Sequence, residues 1–114
     1  MRATVFGIGL VLLAASAGAT AGDRNGAGAI VAGDYTKAER MLVTERRIFP
    51  TRPELMLNLA AVYRQTGRQA EARALYADVL AHEDMLMEML NRRTVSSHAI
   101  ARASLARLTQ VAAR

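Results

Sequence analysis

The sequence predicts an all-α chain, made of antiparallel helix hairpins closed by a C-terminal capping helix. Three observations predict it. The chain is rich in Ala and Leu, with two Pro, three Tyr, two Phe and no Trp, a composition that favours helices over sheets. Apolar residues recur at i, i+4 spacing on both sides of Gly67, as they do on one face of a helix. Gly33 and Ala38 recur as Gly67 and Ala72, both after 34 residues, the mark of a repeated supersecondary unit.

Residues 1–21 read as a signal peptide. Arg2 supplies a positive start, Val5–Ala15 is an unbroken apolar run, and Ala19-Thr20-Ala21 fits the small-residue cleavage rule. An uncleaved anchor is the competing reading, since Ala3–Gly22 is uncharged, but its second half is Ala, Gly, Ser and Thr where a spanning helix is strongly apolar. Cleavage after Ala21 would remove Arg2 and no acid from a chain at +5, leaving 93 of 114 residues at +4. The expected location is periplasmic or secreted, with membrane contact only through the signal peptide. Residues 22–32 are expected to be a flexible N-terminus and the stub of a helix. "DRNGAG" is polar and Gly-rich, as loose segments are.

Residues 33–84 carry the repeats. "GDYTKAERML" aligns with "GRQAEARALY": each begins at a Gly in a polar turn, and a small Ala stands four residues before Leu42 or Tyr76. "DYTKAERMLVTERRIF" reads as a helix with Tyr35, Ala38, Leu42 and Phe49 on its apolar side, and Pro50 follows it. Glu45 falls on the core-facing arc, where it would either pair with Arg64 or Arg73 or lie in water at a rotated helix end. Pro53 suits a first helical turn, where its missing N–H costs nothing. Leu55, Met56, Leu59, Ala60, Val62 and Tyr63 then make one apolar face. Gly67 can take φ > 0 and end that helix. The next helix is expected over Gln69–Ala81, with Ala72, Leu75, Tyr76, Val79 and Leu80 on one side. Small Ala60 and Ala72 let the two helices approach closely.

The repeat pattern fails in residues 85–114. "EMLNRRTVSS" reads as a short β-hairpin or extended loop around an Asn-Arg turn, within about 84–96, although Met and Leu are good helix formers and could continue the preceding helix. Ser96 or Ser97 caps a last helix, about His98–Ala113. Ile100, Leu105, Leu108, Val111 and Ala112 share one arc of it, as a stack-closing helix requires.

Met56, Leu59, Ala60 and Tyr63, followed by Ala72 and Tyr76, stand where a tetratricopeptide repeat has W-x2-L-G-x2-Y and A-x3-F. The chain therefore resembles a tetratricopeptide repeat protein over about residues 27–84, with one and a half repeats. It departs from the pattern where Met56 replaces Trp, Ala60 replaces Gly and Asp84 replaces the closing Pro. The resemblance implies a non-catalytic scaffold that binds a protein or peptide, using the first helix of the full unit as a groove. That surface would be Glu54, Leu57, Asn58, Ala61, Arg64 and Gln65. Asn58 stands where carboxylate-clamp members bind a peptide C-terminus, although the clamp's basic residues would come from helices that this chain truncates or lacks. Gly33, Ala38, Leu42, Pro50, Leu59, Ala60, Tyr63, Gly67, Ala72 and Tyr76 are the structural repeat positions.

Catalytic readings are weak. The chain has no Cys, which excludes a thiol nucleophile, a disulfide framework and a zinc ribbon. Gly22, Gly26 and Gly28 follow no strand and precede no GK[ST], so they form no phosphate loop. Ser97-His98 would suit a hydrolase only if a third group oriented them, and Ser at a helix start usually caps it. A copper site is the sharper alternative: His82, Met85, Met87 and Met89 lie within eight residues, and thioethers suit Cu(I). The plainer reading is that Met fills irregular gaps in packing. No cofactor is implied. Five Arg and no acid lie between Arg92 and Arg114, a solvated face or a contact for an anionic surface. Export argues against nucleic acid. One and a half repeats bury too little alone, since about three are usual, so a homodimer or a complex with another protein is expected.

Overall fold

The computed structural model describes residues 26–89 and 91–113. The expected signal peptide lies outside the described residues. Among the described residues, five helices and one hairpin follow in order: α1 (Ala27–Val31), α2 (Tyr35–Ile48), α3 (Pro53–Gln65), α4 (Gln69–Ala81), β1 (Leu86–Glu88), β2 (Thr94–Ser96) and α5 (Ser97–Ala113). The fold is all-α, with helix hairpins packed on one another and one small two-stranded sheet.

The 34-residue period is a structural repeat of the helix stop. Gly33 and Gly67 both have φ of 80°. After α1, the Asp34 N–H donates to the Ala29 carbonyl and the Gly33 N–H to that of Ile30, each at 2.9 Å; after α3, the Arg68 N–H donates to Tyr63 at 2.8 Å and Gly67 to Arg64 at 3.3 Å. Both are Schellman closures, in which a left-handed residue turns the chain back onto the last carbonyls. Asp34 then caps α2, its carboxylate accepting from the Lys37 N–H at 3.1 Å. Pro53 opens α3.

The core lies along α3. Every residue from Leu55 to Val62 is buried, because α3 packs against α2, α4 and α5 and has partners on three sides. Ala60 and Ala72 are both fully buried within the extensive α3–α4 contact. Ala38 and Leu42 hold α2 in the same core, and Ala27 and Ile30 seat the α1 stub. Two ion pairs tie the repeat units together. Arg68, in the α3–α4 turn, grips Glu39 of α2 with both guanidinium nitrogens, Nη1 to Oε2 at 3.0 Å and Nη2 to Oε1, and its guanidinium lies over the Tyr63 ring. Arg46 of α2 reaches Asp78 of α4 at 3.7 Å.

Phe49 is a correction. It lies beyond the end of α2 and is exposed, as is Ile48, with the Arg52 guanidinium 3.9 Å above its ring. Turning at Pro50 takes the chain off the helical period, so Phe49 does not extend the apolar side.

The segment after α4 is a hairpin. Leu86 pairs with Ser96, Met87 with Val95 and Glu88 with Thr94. Met89 and Arg92 form the closing turn, where the Arg92 N–H donates to the Met89 carbonyl at 2.9 Å and Arg92 takes φ of 70°. Beyond it, α5 packs chiefly on α4. Its buried line includes Ser97, Ala101 and Ser104 as well as Ile100 and Leu108, so much of this contact is made by small residues.

Candidate functional site

The expected groove is only partly open. Leu57, Asn58 and Ala61 are buried, with Asn58 fully inaccessible, while Glu54, Arg64 and Gln65 are half-buried. Asn58 is already engaged within the fold. Its amide therefore cannot reach a peptide carboxylate, and the clamp geometry that the resemblance implied is absent at this residue. The helical period identifies which face of α3 meets α4; it does not show that other packing covers the opposite face.

The open edge of α3 is charged and polar. Glu54 stands in its first turn and Arg64 in its last. Arg64 is the informative member. One of its guanidinium nitrogens, Nη1, is buried without a hydrogen-bond acceptor, and neither Arg64 nor Arg73 forms an ion pair with Glu45 among the described residues.

The ionic contacts near this edge are structural. The Arg68 hydrogen bond holds the Glu39 carboxyl below its ordinary range. Burial raises the Tyr63 hydroxyl above its usual value, assisted by the negative charge of Glu39.

The Ser97-His98 pair does have an acid beside it, but the three make a helix cap. Asp84 accepts from the His98 backbone N–H at 3.0 Å and from the Ser97 hydroxyl at 3.3 Å. The Ser97 Oγ in turn accepts from the Met85 N–H at 3.0 Å. The His98 ring turns away, its Nε2 sitting 2.7 Å from the His82 carbonyl. No ring nitrogen faces the hydroxyl, and Ser97 is fully buried. Asp84 is thus the anion at the start of α5, where unpaired N–H groups and the helix dipole favour negative charge. The His98 N–H holds its carboxyl below the ordinary range, with Ser96 and Ser97 contributing. Ser96 adds a second cap, accepting from the Ala99 N–H at 2.9 Å.

The methionines separate. Met87 and Met89 enter the core, whereas Met85 is exposed, so the three thioethers do not share one face. Met85 precedes β1 and so escapes the strand alternation that turns Met87 inward. His82 approaches Asp78, with Nδ1 2.8 Å from its backbone carbonyl.

A family model described as tetratricopeptide repeat matches residues 29–85, half of the chain. No curated protein and no solved structure matches it significantly.

Proposed function

This chain belongs to the tetratricopeptide repeat family, and from that premise we propose that it is a non-catalytic scaffold that binds a protein or peptide along the exposed edge of α3. The observation that carries this reading is that Glu54, Arg64 and Gln65 stay half-exposed along α3 while its middle is buried. A carboxylate or backbone carbonyl of the partner meets the accessible part of the Arg64 guanidinium, and Glu54 and Gln65 extend the contact along the same helix. The fold remains pre-organised, since α3 is fixed by its packing before anything binds, and little ordering entropy opposes association.

We propose further that the scaffold acts outside the cytoplasm. The support is the charge and hydropathy pattern of residues 1–21. N-terminal sequencing of the native protein should begin at Gly22, whereas recovery of intact Met1 in a membrane pellet would favour an anchor. For the binding edge, affinity capture is run with wild type and Arg64→Glu side by side. Proteins retained by the wild type and lost from the variant support the reading. Identical captured sets, with both proteins folded, would remove Arg64 from it.

A further inference from the structure

A second surface lies on α2 and does not involve Arg64. The first repeat unit is incomplete: α1 has 5 residues, whereas its counterpart α3 has 13. The face of α2 that a full first helix would cover is exposed at Lys37, Thr44 and Ile48 among the described residues. Met41 and Glu45, which the period equates with buried Leu75 and Val79, are only half-buried. Two shallow cavities of about 300 and 330 Å³ run along this face, and Met41 lines both. Their walls include small Ala29 and Ala32, together with Lys37, Thr44 and Glu45. Apolar Val31 of α1 and Ile48 of α2 are exposed.

The chain's own upstream segment is a poor occupant. The period places Gly22 and Asn25 where α3 has Met56 and Leu59, so residues 22–25 lack the apolar side chains to fill the trough, and the apolar run Val5–Ala15 is removed if residues 1–21 are a signal peptide. The exposed side of α5 is also unsuited, since Arg102 and Arg107 stand there without an acid between Ser97 and Gln110. The trough itself carries its own complement. Lys37, Met41 and Glu45 are spaced i, i+4, i+8, a single stripe on a helix. Turned antiparallel about Met41, the stripe matches itself, cation to anion at both ends.

We propose that α2 forms the interface of a homodimer, with two copies packed antiparallel about a two-fold axis at Met41. Lys37 of each copy then meets Glu45 of the other, and the two Met41 side chains touch on the axis. Such an interface is isologous and closes at two chains. One helix and a stub make a small contact, of the size that gives weak, reversible association.

Sedimentation equilibrium over a wide concentration range tests this with charge swaps. Wild type should dimerise, less so as salt rises. Lys37→Glu puts four acids at the interface and Glu45→Lys puts four cations there, so each alone should self-associate at least about tenfold more weakly, a loss of roughly 1.4 kcal/mol. Mixed, the two variants should pair with each other, because every contact is again cation to anion; that result also shows that both fold. A wild type that stays monomeric, variants that dimerise as it does, or a mixture that does not associate would each overturn the proposal. A second measurement uses the absence of Cys from the chain. Met41→Cys should cross-link into a covalent dimer on mild oxidation, and Thr36→Cys, on the other side of α2, should not. The reverse pattern would also overturn the proposal.

Discussion

Replacing Gly26 by Ala probes how the start of the described chain is seated on the core. Gly26, Gly33 and Gly67 share one backbone state, with φ of 75°, 80° and 80°, yet their surroundings differ. A Cβ built at Gly33 or Gly67 meets nothing within 4 Å, whereas one at Gly26 would stand 3.0 Å from Leu42 Cγ and 3.1 Å from Cδ1. Leu42 is fully buried and has little room to move aside. A left-handed non-Gly residue costs about 1–2 kcal/mol, offset by about 0.4–1 kcal/mol through the stiffer unfolded chain. Gly67→Ala should therefore lose only about 1 kcal/mol. Gly26→Ala adds overpacking of about 1–3 kcal/mol, for a total of about 2–4 kcal/mol. Urea denaturation followed by circular dichroism gives both values from the shift in midpoint, at unchanged slope. A Gly26→Ala loss no larger than that of Gly67→Ala would show that Gly26 does not rest on Leu42.

Three further outcomes are expected. Ala60→Leu and Ala72→Leu should each cost about 1–3 kcal/mol, because both positions are fully enclosed and added methylenes force neighbours off their rotamers; unchanged urea midpoints would place these alanines in solvent. Ser104→Ala should be neutral or stabilising, since the Ser104 hydroxyl is buried without a partner and an unpaired buried hydroxyl is unfavourable. A lowered thermal midpoint would reveal a hydrogen bond or bound water at that site. Asp84 contributes stability that is complete above its unfolded pKa, about 3.9, and is lost as pH falls through its lower folded value. Asp84→Asn should accordingly lower the melting temperature at neutral pH and reduce its drop below about pH 4, and an acid limb identical to wild type would contradict the cap.

The readable parts of this sequence were those governed by local rules. Gly33 and Gly67 have few side-chain neighbours, so backbone preference alone decides their conformation. Pro53 at a helix start, α4 over Gln69–Ala81, and Ser96 before the last helix follow from capping and periodicity. The misread positions depend on distant packing. Leu57, Asn58 and Ala61 carry the spacing of a groove, but α3 has neighbours on three sides and its middle is enclosed. Ala101 and Ser104 lack the bulk that marks a core face, although their smallness is what suits them to the α4–α5 contact. Asp84 looked like a lost Pro because its partners, Ser97 and His98, lie 13 and 14 residues away. The half-burial of Arg64 had no local signal, since it depends on how neighbouring elements pack around the end of α3.

On the proposed function, a partner protein lies along the half-exposed edge of α3 and contacts Arg64. Photo-cross-linking from Gln65, adjacent to Arg64, tests this, with a matched probe at exposed Gln110 of α5. Discrete cross-linked adducts are expected from Gln65, disappearing when Arg64→Glu is combined with the probe, and none from Gln110. Adducts from Gln110 alone, or Gln65 adducts unaffected by Arg64→Glu, would contradict it.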